Sequence, residues 1–322
     1  MLLSGGAAWP LTARAQQPER MRRIGVLMGL PANDPVGQSE VAGLQRGLRK
    51  LGWIVGRNVQ IEYRWAGADI DRVQAFAKQL VALRPDVILG RSTPAVRALM
   101  AETRTIPIVF TVVAEPVLSG FAASLARPGG NITGFTNVEP SIAGKWLELL
   151  KEIFPPVARV GLIFNPTTAP YAGPFLRAAE EAAGRLGVES VVLPIHDEAH
   201  IKDVLAVLAR THGSALAGIT DSFIIEHRKM IIGLAEQYRL PAVYPFSLFA
   251  TDGGLMSYGA DITDMYQGAA SYIDRVLKGE MPADLPVQQP TKFELVLNLQ
   301  AAKTLELDIP TKLLALADEV ID

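Results

Sequence analysis

Short apolar runs alternate with helically spaced apolar positions along nearly the whole chain. Residues 23–28 form an apolar run that stops at the turn-rich Pro31-Ala32-Asn33-Asp34-Pro35, after which Val41, Leu44, Leu48 and Leu51 recur at helical spacing. The unit repeats. Strands are predicted at 58–63, 86–89 and 106–113, with helices at 72–83 and 94–102 between them. After the Gly/Pro-rich Arg127-Pro128-Gly129-Gly130-Asn131 and a brief strand at 132–135, a second series begins. It predicts helices at 142–153, 175–186, 201–208 and 223–238, and strands at 159–164, 189–193, 215–219 and 242–244. The tail adds an apolar segment at 255–258, a helix at 265–277, a Pro-rich passage at 279–290 and a strand at 293–298 before the last helices. Apolar strands alternating with amphipathic helices imply crossover connections, so the predicted class is α/β, with parallel sheets covered on both faces. Two consecutive doubly wound units mean two Rossmann-like lobes.

Composition narrows the function classes. The 322 residues, 49% of them hydrophobic, suffice for two cores. A net charge of −2 with interspersed signs supplies no basic field for a phosphate backbone, so nucleic acid is not an expected partner. The absence of cysteine excludes thiol nucleophiles, disulfides, zinc–thiolate sites and a lipid-bearing N-terminal Cys. Residues 2–11 are apolar and lead to Ala13-Arg14-Ala15, the pattern of an export leader ending near residue 15. The expectation is a soluble, non-lipidated protein outside the cytoplasm.

Known catalytic and cofactor motifs are missing from the loops that follow strands, where open α/β sheets bind ligands. Neither Gly-x-x-x-x-Gly-Lys-Ser/Thr nor Gly-x-Ser-x-Gly occurs, and Gly29-Leu30-Pro31-Ala32-Asn33 stands where a dinucleotide fingerprint would follow the first strand. No cofactor is expected. His196 and His200 are spaced like a metal pair, but Asp197-Glu198 between them reads as cap and first-turn chemistry, so a helix entry is expected instead.

Polar and small residues do recur at strand ends: Asn33-Asp34, Ser92-Thr93, Glu115, Asn165 and Asp221-Ser222. Ser92-Thr93-Pro94 can cap a helix, and its exposed N–H groups can equally hold a ligand carboxylate. Asp221 can cap the next helix or face an ammonium group. Tyr171, Tyr244, Phe246 and Tyr258, beside strand ends, can stack on a ligand or pack the core.

Several of these segments resemble one family. Glu115-Pro116-Val117 with Gly120-Phe121, and Ser124-Leu125-Ala126-Arg127-Pro128-Gly129-Gly130-Asn131-Ile132-Thr133-Gly134, are similar to ABC transporter substrate-binding proteins of the tryptophan/tyrosine type. Leu147-Glu148-Leu149-Leu150-Lys151, Gly253-Gly254-Leu255-Met256-Ser257-Tyr258-Gly259 and the stretch from Pro282 to Phe293 continue the likeness in the same order. The resemblance implies a type 1 periplasmic binding fold with three hinge strands and a small solute closed between lobes. The lobes are expected to be 23–135 with 259–281, and 136–258 with 282–322. It also implies a monomer in the periplasm that delivers an amino acid, or another aromatic or carboxylate-like solute, to an ABC permease in the inner membrane. Carried over as binding positions are Asn33, Asp34, Ser92, Thr93, Glu115, Asn165, Asp221, Tyr244 and Tyr258, to which the strand-end reading adds Tyr171. Glu115 stands where Asp is common in the family, and Gln267 where Arg is common. Two rivals share the architecture: an isomerase or racemase using Asp34 with Asp221, and a ligand sensor that docks on a receptor.

Overall fold

The computed structural model describes residues 20–322, so the expected leader at 1–15 lies outside the described residues. The first lobe is built from β1 (Arg22–Met28), α1 (Pro35–Lys50), β2 (Val59–Trp65), α2 (Ile70–Ala82), β3 (Val87–Arg91), α3 (Thr93–Glu102), β4 (Ile108–Val113) and β5 (Ile132–Thr136). Its strands form one parallel sheet in the order β2-β1-β3-β4-β5. The second lobe begins with α4 (Ile142–Ile153), β6 (Arg159–Phe164), α5 (Ala172–Leu186), β7 (Glu189–Pro194), α6 (Glu198–Leu208) and β8 (Ser214–Gly218). It continues with α7 (Ser222–Glu226), α8 (Arg228–Gln237), β9 (Ala242–Tyr244), α9 (Ser247–Thr251) and β10 (Met256–Ala260). The chain then returns to the first lobe as α10 (Ile262–Leu277), which packs along α1. It finishes in the second lobe with β11 (Phe293–Asn298), α11 (Leu299–Thr304), α12 (Thr311–Leu316) and β12 (Glu319–Ile321). The second sheet runs β12-β11-β10-β9-β8-β6-β7, parallel except where β11 pairs antiparallel with β10.

Alternation along the strands separates two cores. Ile24, Val26 and Met28 of β1 face α1 and α10, in a cluster continuous with the second lobe, whereas Leu27 joins Val73, Ala77 and Leu99 beneath α2 and α3. Successive side chains of a strand point to opposite faces, so one strand feeds both. Asp34, Asp69, Asp197, Asp221, Asp261 and Asn298 cap helix starts with their side-chain oxygens. These caps satisfy N–H groups that the helices leave without internal partners.

Three differences from the expected elements trace to contacts between segments distant in the sequence. The helix expected over 223–238 breaks at His227, and the break turns Arg228 inward to salt bridges with Asp34 and Asp252. Residues 282–288, expected with the second lobe, instead line the edge of the first. There Thr133 Oγ1 donates to the Leu285 carbonyl at 2.6 Å, Val287 N to the Leu125 carbonyl at 2.7 Å, and Gln288 N to the Gly134 carbonyl at 2.9 Å. The third passage between lobes therefore lies after Gln288. The short β12 closes the second sheet where only helices were expected.

His196 and His200 stack on each other at 5.6 Å, while Asp197 accepts the His200 N–H at 2.8 Å as a helix cap. Among the described residues no metal-ligating cluster forms, and no helix is long and apolar enough to cross a membrane.

Candidate functional site: a cavity between the lobes

The C-terminal ends of the strands in the two sheets face each other, and the loops that follow them meet across a narrow interlobe cavity of about 10 Å³. Arg91, Ser92, Thr93 and Val112 line it from the first lobe, at the ends of β3 and β4. Thr168, Tyr171, Thr220, Asp221 and Ser222 line it from the second.

The first-lobe face is strained and unsatisfied. Ser92 lies at φ 90° and ψ 155°, a region almost reserved for glycine, and Val112 lies at φ 54°. Ser92 Oγ, Thr93 Oγ1 and Arg91 Nη1 are buried without a hydrogen-bond partner. Gly29 passes so close that a Cβ there would stand 2.6 Å from Ser92 Oγ, which explains a residue without a side chain at the end of the first strand. The rest of the Arg91 guanidinium is held by Glu40, with Nε and Nη2 donating at 2.7 and 3.0 Å, and Tyr266 donates its hydroxyl to Glu40 at 3.0 Å. Burial by itself would push Arg91 toward losing its proton. The charge and hydrogen bonds of Glu40 outweigh that and hold it protonated.

The second-lobe face is nearly the reverse. Asp221 is 1% exposed, and its carboxylate accepts from Asn165 N at 2.6 Å, from Phe223 N at 2.9 Å and from the Thr168 hydroxyl. Burial nevertheless pushes its pKa up to about 6, because those donors offset the lost hydration only in part. Asn165 Oδ1 accepts Thr167 N at 2.8 Å and turns the loop so that Thr168 reaches Asp221. Tyr171 donates its hydroxyl to the Thr220 carbonyl at 2.7 Å. Thr220 Oγ1 on this face is buried without a hydrogen-bond partner.

Two contacts join the lobes beside the cavity. Asp34, at the start of α1, accepts from Arg228 Nη1 at 2.7 Å, while Arg228 Nε donates to Asp252 at 2.6 Å. Glu226 accepts the Ala68 N–H at 2.6 Å, with its carboxylate packed against Gly67.

The sequence-expected positions therefore divide. Ser92, Thr93, Tyr171 and Asp221 line the cavity, Asn165 shapes its wall, and Asp34 belongs to the interlobe pair. Asn33 is exposed beside Asp34. Glu115 follows β4, near Glu139 in the first passage between lobes, and burial together with Glu139 raises its pKa. Tyr244 is core, stacked on Phe249 with ring centroids 4.7 Å apart, and Tyr258 stacks on Phe293 at 6.0 Å in the second sheet. Asp34 and Asp221 engage different partners, the first Arg228 and the second Asn165, Phe223 and Thr168. Arg91, Thr168 and Thr220 line the cavity without having been expected there, and Ser222 lies beside Asp221 as its strand-end position implied. A signal existed for Arg91, since an arginine closing the otherwise apolar Val87-Ile88-Leu89-Gly90 is costly to bury without a partner. Glu40 falls on the same helix face as Val41, Leu44 and Leu48, which is the matching clue.

Comparison with known proteins agrees with the two-lobed α/β fold. The chain is similar to a tyrosine-binding protein of Clostridioides difficile, 27% identical over 265 residues, covering 82% of this chain and 76% of that protein. A Vibrio cholerae conserved domain protein superposes with a TM-score of 0.86 at 28% identity, covering 94% of this chain and 100% of that one. An ABC domain from Streptococcus pneumonia, solved in complex with L-Trp, gives a TM-score of 0.85 at 26% identity, covering 93% and 99% of the two chains. The profile of the family described as ABC transporter substrate binding protein matches residues 26–321, essentially all of the described fold. A two-lobed chain with a polar cavity between its sheets, matched over that length, belongs to the ABC transporter substrate binding proteins.

Proposed function

We propose that the protein captures a small amino-acid-type solute between its lobes outside the cytoplasm and passes it unaltered to an ABC permease. The observation that carries this reading is the ring of buried, unpartnered polar atoms, Arg91 Nη1, Ser92 Oγ, Thr93 Oγ1 and Thr220 Oγ1, contributed by both lobes to one cavity. Buried polar groups are normally paired, so a cavity lined with orphans is complete only with a polar guest. The names of the relatives, one tyrosine-binding and one complexed with L-Trp, support an aromatic amino acid.

A zwitterion suits the two faces. Its carboxylate meets the Ser92 and Thr93 hydroxyls at the start of α3, where helix N–H groups favour negative charge. Its ammonium meets Asp221, whose raised pKa a nearby cation would lower again. Thr93 and Pro94 also border a larger groove of about 400 Å³ that runs between α2 and α3 toward Thr167 and Pro170. The side chain of the solute extends that way as the lobes part to admit it. A solute that contacts both faces shifts the lobes toward closure by its differential affinity for the closed form.

A thermal-shift screen of amino acids and aromatic acids tests the reading, since a ligand at about a hundredfold excess over its Kd stabilises the native state by ~2.7 kcal/mol. Tyrosine or tryptophan is expected to raise Tm, to compact the protein in X-ray scattering and to be recovered unchanged after denaturation. Chemical conversion of the bound solute would replace binding with catalysis.

A further inference from the structure

We infer that Arg91 is the specificity-determining cation of the cleft, presenting a guanidinium edge that admits a carboxylate and discriminates against its uncharged amide. The inference rests on the proposed solute-binding role and deepens it.

Arg91 ends β3, the central strand of its sheet, and is 0% exposed. Leaving any N–H of a buried guanidinium unmet is costly, and a mere structural brace would be expected to satisfy all of them. Here Glu40 takes Nε and Nη2 as a fork, and Nη1 alone is left over in a residue that lines the interlobe cavity. Glu40 is itself held by Tyr266 from α10, so the guanidinium plane is fixed by two helices and cannot swing away from the cavity. The residues immediately after it, Ser92 and Thr93, contribute two more unpartnered hydroxyls, and Ser92 carries the backbone strain that such sites retain. The guanidinium edge and the N–H groups of the helix start can only donate, and the paired hydroxyls can turn to donate with them, which matches an anionic oxygen pair. An amide can accept there too, but its NH₂ finds no acceptor on the guanidinium or at the helix N–H groups. Glu40 and Tyr266 are positioning residues, since they act through the plane of Arg91.

The test compares acid and amide forms of the same molecule on the full chain and on an E40Q/R91M double variant, which removes both charges together. L-tyrosine with L-tyrosinamide, L-tryptophan with L-tryptophanamide, and benzoate with benzamide are titrated by calorimetry. The native protein is expected to favour the acid by about 10- to 100-fold, the range of one or two charge-assisted hydrogen bonds. The double variant is expected to lose most of that ratio while still binding. An acid-to-amide ratio equal in both proteins overturns the role of Arg91 and leaves solute binding standing. A native protein that binds none of the acids removes both. Should circular dichroism show the double variant unfolded, Arg91→Lys decides: it keeps the charge without the fork, and retention of the full ratio overturns the inference.

Discussion

The two faces of the cleft are built from the same element, the loop between a parallel strand and the next helix, yet they resolve their polar groups in opposite ways. On the first lobe, Arg91, Ser92 and Thr93 keep donors without partners, and Ser92 holds a backbone conformation unfavourable to a residue with a side chain. On the second lobe, Asp221 collects Asn165, Thr168 and Phe223 into a self-contained network. The contrast assigns different work to each face. An unsatisfied face gains on meeting a guest, because the cost of its orphans is then removed. A satisfied face is rigid and supplies shape, with Asp221 as its single charge in the cavity. A cleft with both faces unsatisfied would be unstable when empty, and one with both satisfied would bind weakly.

The largest test of this contrast is Asp221→Ala. It leaves Asn165 N, Phe223 N and Thr168 without their acceptor, and a loss of about 3 kcal/mol in denaturant stability is expected, together with solute affinity reduced about tenfold or more. Unchanged affinity would show that Asp221 only shapes the wall. The same residue predicts a pH effect. Its carboxyl moves from an ordinary 3.8 to about 6 on burial, so the folded protein holds that proton more tightly than the unfolded chain. The resulting contribution is fully present below pH 3.8 and is lost as pH rises to about 6, an effect of about 3 kcal/mol. Subtracting the stability profile of Asp221→Asn from that of the native protein isolates it. Affinity for an ammonium-bearing solute should run the other way, weakening as pH falls through that range.

Arg228→Met probes the bridge between faces. It strands Asp34 and Asp252, and a cost of about 2 kcal/mol is expected mainly in the closed form. Scattering in the presence of solute should then report a larger radius of gyration than for the native protein. Ser92→Gly separates strain from recognition: stability should rise by about 1 kcal/mol as the left-handed backbone is relieved, while solute affinity falls. A stability gain without loss of affinity would show that the Ser92 hydroxyl is idle. The smallest effect is expected from Glu226→Gln, which keeps an acceptor for Ala68 N and should cost about 0.5 kcal/mol or less in ligand-bound stability.

The unevenness of what could be read in advance follows the same division between local and long-range causes. Hydrophobic periodicity and turn residues placed nearly every strand and helix of both lobes, because burial of one face and capping by Asp or Asn are written within a few residues. The break at His227 was not legible. No glycine or proline marks it, and its consequence is a salt bridge from Arg228 to Asp34, far away in the chain. Nor did composition reveal that residues 282–288 complete the edge of the first lobe, since their contacts are mainly backbone hydrogen bonds whose partners are set only by topology.

Among the candidate site residues, those next to strand ends were legible as a set, but their roles were not. Ser92 and Asp221 look alike in the sequence as small polar residues ahead of a helix; one is strained and unpartnered, the other satisfied three times over. Tyr171 and Tyr244 look alike as aromatics beside strands, yet the first lines the cavity and the second fills the core. By itself the chain determined two parallel sheets, their helices and the loops where a ligand could sit. Tertiary structure decided which of those loops meet and which polar atoms are left over. Hydrogen-bond satisfaction at a cavity depends on partners from both lobes, and no local pattern encodes a partner on the opposite side of the cleft.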